Sequence, residues 1–272
     1  MLKNIILKNK FRLLIIYGYL ATYELLNLLT PIALGKAIDC LINQDFTWIF
    51  IFFTIEFIAN LFMYKRMVYD TMVYTKIYNE MVIEYIDRSG SNVSERSART
   101  DLAGNIIHFF EDAIPFYIMS IIGMIGSLFF IFWTDWLTGL IIFSCALPIT
   151  FIVLYFYPKI NTVTLLANTH YEFKIKSLEE GSHASYFDRR RKLQIYRSTL
   201  QGKSWWSLNN TKSAFLVIAL VVFTYRHSSI TQGEAIATYA YINRFLVSLM
   251  SIPVAMEIYS MISDVAKRIG SD

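Results

Sequence analysis

The chain has 272 residues, of which 55% are hydrophobic and only 17% charged, with 25 Lys and Arg against 21 Asp and Glu. A soluble domain carries nearer a quarter charged residues, so a mean hydropathy of +0.43 excludes a soluble enzyme as the starting assumption. The two cysteines, Cys40 in an expected outer loop and Cys145 in an expected span, imply no disulfide framework.

Met1-Leu2-Lys3-Asn4 leads an amphipathic start. The small residues Ala33-Leu34-Gly35 resemble a cleavage site, but the apolar run before them, 11–34, is too long for a signal peptide. At about 20 residues per crossing, the apolar stretches predict six transmembrane helices at about 13–34, 47–66, 114–134, 136–157, 205–226 and 235–261. The expected fold is all-α, one polytopic membrane domain over 1–272 with long cytoplasmic helical extensions. Those extensions are the polar segments at about 67–113 and 158–204. Of the 25 Lys and Arg, 22 fall on one side of this arrangement, with only Lys36, Arg226 and Arg244 elsewhere. The positive-inside rule then puts both termini and both long segments in the cytoplasm, and the expected location is a bacterial inner membrane.

Each long segment reads as a hairpin. In 67–88, apolar Val68, Met72 or Val73, Ile77, Met81 and Ile86 recur at gaps of four or five, a loose helical spacing. Ser89-Gly90-Ser91-Asn92 breaks it, Asn92 with Glu95 opens a short tip helix ending near Arg99, and a second leg climbs through Ile106, Phe109, Phe110 and Ile114. The second hairpin descends to Glu180, breaks at Gly181-Ser182-His183 and ascends from Arg189 to Trp206.

Charges inside spans are the residues with a functional claim. Glu24 and Glu56 sit midway along the first and second spans, Arg244 in the outer third of the last and Glu257 in its inner third. A charge at mid-bilayer costs on the order of 2.5–3.5 kcal/mol even on lenient scales, so such groups face a bundle interior or a wet cavity and usually pair. These four are the candidate substrate-binding residues. Glu257 reaches a cavity shared with Arg244 only if the helix bends near Pro253. Glu24 and Glu56 lie at similar depth, and as neighbours one of them would hold a proton. The plainer reading is that each hydrogen-bonds a nearby Tyr23 or Asn60 and fixes helix register.

Other chemistry is not expected. Gly202-Lys203-Ser204 lacks the earlier glycine of a phosphate-binding loop, since Arg197 stands in its place. His108, His170, His183 and His227 have no metal-ligand spacing. Arg189-Arg190-Arg191-Lys192 reads as a topology signal touching anionic headgroups, not as a nucleic-acid site.

Ile230-Thr231-Gln232-Gly233-Glu234, the apolar run after it, Pro253 and Asp264-Val265-Ala266-Lys267-Arg268-Ile269 resemble the last span of ABC exporters. Pro31 to Asp39 is similar to the family's first-span exit, "P-x-x-x-G-x-x-I-D", and Asp135 to Pro148 to its fourth span. Asp101-Leu102 to Glu111-Asp112 loosely matches the leg after its first coupling helix. This resemblance implies a six-helix exporter-type domain that encloses half a pathway and dimerises with itself or a sister chain. It also implies coupling to a separately encoded ATPase through the hairpin tips, which here hold Ser94, Glu95, Arg96, Arg99, Ser182, His183, Tyr186 and Asp188. ATP and Mg would then be bound by that partner, with no catalysis and no cofactor in this chain. The alternative is a motor-less member acting as an ion-coupled transporter or as a partner of another membrane protein.

Overall fold

The computed structural model describes residues 7–88, 104, 107, 109–172, 183–227 and 229–270, without the side chains of 84–88, 109, 168–172, 183 and 253–270. Regular structure among these residues is entirely helical. Six stretches are long and apolar enough to cross a bilayer: 10–42, 47–83, 110–134, 136–167, 184–226 and 232–252. The protein is an all-α polytopic membrane protein.

Helix α1 runs Lys10–Ile42. Its buried residues Leu13, Ile16, Leu20, Glu24, Leu28, Pro31 and Gly35 recur every three or four positions, so one stripe faces neighbouring helices throughout. The helix continues past the expected exit at Leu34, and Cys40 lies on its last turn, not in a loop. It ends at Ile42, and Gln44 just beyond it has a φ of 59° that no helix interior accepts. Asp45 then starts α2 by accepting from the Thr47 amide (2.9 Å) and hydroxyl (2.7 Å), and these bonds hold its carboxyl below the usual carboxylate range.

Helix α2, Thr47–Arg88, is a single rod of 42 residues. At 1.5 Å per residue it is about 63 Å long, roughly twice the hydrocarbon core. Its early half exposes Phe50, Phe53, Phe57, Leu61 and Tyr64 along one apolar face. Its later half buries Val73, Tyr74, Ile77 and Met81 against Leu13 and Ile16 of α1 and against Ile107. Val68 and Met72 are exposed, so the buried stripe runs through Val73 and Tyr74, closer to helical period than the spacing of aliphatic residues alone suggested.

A π-helical turn, Phe109–Ala113, leads into α3, Ile114–Thr134. Pro115 has no N–H to return to that turn. Two of the turn's carbonyls accept from α2 instead: Phe110 from the Tyr74 hydroxyl at 2.9 Å and Glu111 from Arg66 at 3.4 Å. Arg66 also pairs with the buried Asp70 at 3.3 Å. Asp135 breaks the chain and caps α4, Trp136–Ser144, through the Thr138 amide (2.9 Å) and hydroxyl (2.6 Å). The fourth crossing, expected to be continuous, is interrupted at Cys145 before α5, Ala146–Glu172. Pro148 explains the break, because it cannot donate to the Ser144 carbonyl and its ring crowds that group. Helix α6, His183–Arg226, joins the ascending leg and the fifth span, and α7, Gln232–Gly270, closes the chain.

The chain forms two compact units, Met1–Gly139 with Val222–Asp272, and Leu140–Val221. In the first, α1 packs on α2, on α3 and on α7, and α3 packs on α7. In the second, Cys145, Ile149 and Val153 form a buried stripe at four-residue spacing.

Candidate functional site: a polar seam between the first and last helices

Two of the charged residues that lipid should exclude, Glu24 and Arg244, meet on one seam within the first unit. Proline chemistry builds its centre. Pro31 lies inside α1 and has no N–H, so the carbonyl four residues earlier, at Asn27, loses its helical donor. Arg244 of α7 takes that place, donating from Nη1 to the Asn27 carbonyl at 2.7 Å and from Nη2 to the Glu24 carboxylate. One turn along, the Tyr241 hydroxyl donates to the Leu28 carbonyl at 2.6 Å, and its ring stacks on Phe130 of α3 at 4.8 Å. Freed backbone in a spanning helix is thus satisfied by a neighbouring helix, as a medium without water requires.

The Glu24 side chain is 8% exposed and that of Arg244 22%. The two opposite charges pair where Glu24 is buried and Arg244 partly so, and removing one would strand its partner. Gly123 of α3 leaves the room they occupy, since a Cβ there would lie 2.9 Å from Ser248 Oγ and 3.3 Å from Glu24 Oε1.

At the loop end of the seam, the exit motif of α1 meets the entry motif of α7. Gly35 and Gly233 touch backbone to backbone: a Cβ on Gly35 would stand 2.5 Å from the Gly233 carbonyl oxygen. Asp39 then accepts from the Thr231 hydroxyl (2.7 Å) and the Gly233 amide (2.8 Å). Thr231 and Glu234 form a capping box of their own, the Glu234 amide donating to the Thr231 hydroxyl (3.1 Å) and the Thr231 amide to the Glu234 carboxylate (3.3 Å). A cavity of about 820 Å³ opens beside these contacts, lined by Lys36, Asp39, Trp133, Arg226, His227 and Thr238 among others. Arg226 pairs with Asp135 at 3.3 Å. Burial would raise the Asp135 carboxyl, but the Thr138 hydrogen bonds and the charges of Arg226 and His227 outweigh it and hold the group below the usual range.

Of the sequence candidates, the structure joins Glu24 to Arg244, not to Glu56 and not to Tyr23. Glu56 accepts from Thr30 at 3.0 Å. Thr30 lies six residues after Glu24, about 120° round α1, so the two carboxylates address different faces of that helix. Glu257 lies on α7 beyond the described side chains, as do the side chain of His183 and the whole of Ser94, Glu95, Arg96, Arg99 and Ser182. Tyr186 is buried, and Asp188 pairs along α6 with Arg191 (3.0 Å) and Lys192 (2.6 Å). Sequence reasoning did not single out Tyr241, Asn27 or Gly123 as members of the seam. Pro31 was the available signal, because a proline within a span announces a carbonyl that another helix must satisfy.

The family model for the ABC transporter transmembrane region matches residues 2–233, which include α1 to α6 and the first residues of α7. No curated protein matches the chain.

Proposed function

We propose that the chain, which belongs to the ABC transporter transmembrane family, is one half of a two-fold exporter that alternates between inward- and outward-open states. The second half is another copy or a sister chain. The drive comes from an ATPase outside these 272 residues, which binds ATP and Mg and presses on the hairpin tips near 91–100 and 181–191. The chain itself contributes no covalent catalysis. Its termini and hairpins lie in the cytoplasm of a bacterial inner membrane, in keeping with the Lys and Arg distribution.

The observation that carries this reading is length. Helices α2 and α6 have 42 and 44 residues, and each outlasts the bilayer by about 30 Å. Rods of that length transmit a push at one end into the span at the other. Glu24, Glu56, Arg244 and Glu257 remain the candidates on the transport pathway. The ion-coupled alternative draws less support, because Glu24 has an arginine partner and Glu56 a threonine hydroxyl.

The test is to purify the tagged chain from its native membranes in mild detergent and assay the eluate for ATP hydrolysis. Co-purifying ATPase activity, lost when residues 91–100 are replaced by a Gly-Ser stretch, is the expected result. An eluate without it would sink the reading, all the more if the chain alone moved protons in liposomes and Glu24→Gln or Glu56→Gln stopped that movement.

A further inference from the structure

The cavity beside the Gly35–Gly233 contact holds chemistry that the transport reading does not use. Its volume of about 820 Å³ falls within the range of about 300–1,000 Å³ that small-molecule sites take. Its charged groups are unevenly committed. Asp39 has both carboxylate oxygens engaged, one by the Thr231 hydroxyl and one by the Gly233 amide. Glu234 accepts from the Thr231 amide at Oε2 and keeps Oε1. Arg226 meets Asp135 through Nε, so its two terminal nitrogens keep their donors. His227 meets the Phe223 carbonyl through Nδ1 at 3.1 Å. Lys36 lays its ammonium 4.4 Å from the centre of the Trp48 ring and, among the described residues, pairs with no carboxylate. The cavity thus offers N–H donors on Lys36 and Arg226 and an open carboxylate oxygen on Glu234.

Charge balance decides what fits. The cations Lys36 and Arg226 stand among three carboxylates, Asp39, Asp135 and Glu234. A plain anion would meet net negative surroundings, and a plain cation would face two positive groups. A ligand with both signs a few bonds apart satisfies both sets: its phosphate meets Lys36 and Arg226, whose guanidinium fork matches phosphate oxygens, and its ammonium meets Glu234. Depth decides the source. Trp133, which lines the cavity, is 80% exposed, and Trp136 and Tyr225 at the same end of their spans are exposed too. Tryptophan and tyrosine at span ends mark the headgroup level of a bilayer. We propose that this cavity is a binding site for the zwitterionic amino-phosphate headgroup of a membrane lipid, held at its phosphate by Lys36 and Arg226 and at its amine by Glu234. Lys36 lies about 18 Å along α1 from Glu24, so the site is separate from the Glu24–Arg244 pair. It requires only a bilayer, and no particular drive or direction of transport.

The full chain, purified in mild detergent and stripped of lipid, is titrated with short-chain phosphatidylethanolamine while its thermal unfolding midpoint is followed. A ligand bound by the folded chain alone raises that midpoint. Phosphatidylglycerol and water-soluble phosphoethanolamine are titrated in parallel. Expected is a saturable rise with phosphatidylethanolamine, half-complete at a concentration about tenfold or more below that of either comparison ligand. Lys36→Gln and Glu234→Gln should each raise that concentration by about tenfold, the loss of one charge-assisted hydrogen bond. Without lipid both variants should unfold as the parent does, because Lys36 is exposed and glutamine preserves the α7 capping box. Lys36→Arg should keep the preference, and Lys159→Gln, at an exposed lysine on α5, should leave the titration unchanged. Phosphatidylglycerol binding as tightly as phosphatidylethanolamine, or a loss in Lys36→Gln without one in Glu234→Gln, overturns the zwitterion in favour of a simple anion site. Phosphoethanolamine matching the lipid overturns the membrane source. Titrations of both glutamine variants equal to the parent's overturn the site altogether.

Discussion

Helix α1 carries two seams of opposite chemistry. Near its start it meets the far half of α2 through Leu13, Ile16, Val73, Tyr74, Ile77 and Met81, an apolar and aromatic cluster. Toward its end it meets α7 through Glu24, the Asn27 and Leu28 carbonyls, Gly35 and Asp39. The difference follows the solvent. Residue 73 lies about 40 Å along α2, beyond the hydrocarbon core, where withdrawing apolar surface from water drives association. Within the bilayer an apolar side chain gains little by exchanging lipid for protein, so helices join through close backbone approach and polar partners. One helix thus uses both rules, each where it works.

The comparison breaks most visibly at Arg244. Arg244→Ala should destabilise the purified chain by about 3–5 kcal/mol, because it leaves Glu24 buried and unpaired. The double variant Glu24→Gln, Arg244→Gln should cost clearly less than Arg244→Ala, and detergent unfolding curves for the set would show the polar seam to be idle if all of them matched the parent. Next comes the apolar seam: Ile16→Ala, at a fully buried position, should cost about 2–4 kcal/mol, whereas Phe57→Ala on the exposed face of α2 should stay within about 0.5 kcal/mol. Equal losses at the two sites would erase the distinction between water-driven and lipid-depth packing. The smallest effect is acid sensitivity at Asp135. Its folded carboxyl is held below its unfolded value, so its contribution is complete above the unfolded value, near pH 4, and disappears as pH falls through the folded one. Asp135→Asn should therefore flatten the stability profile below about pH 4 and leave its shape at neutral pH unchanged.

Much of this was legible before the fold was known. Six apolar runs, the one-sided Lys and Arg distribution and the motifs at Pro31–Asp39 and Ile230–Glu234 gave the class of protein and its resemblance. The Glu24 partner was not legible. Glu24 and Arg244 are 220 residues apart, and equal depth made Glu56 the natural neighbour of Glu24. Depth is read from position along a span, but partnership depends on how each helix is rotated about its axis. The break at Cys145 was within reach, since Pro148 marks it, whereas the π-turn before Pro115 depended on Tyr74 and Arg66 arriving from another helix to take its carbonyls.

The amino-acid order alone decided that the chain is helical and lipid-embedded, because hydropathy and backbone self-satisfaction are properties of each segment by itself. Only the packed bundle decided that Arg244 serves Glu24 and Asn27, and that Asp39 closes over Gly233. Those pairings are set by the rotation and antiparallel register of helices at opposite ends of the chain, which no local spacing encodes.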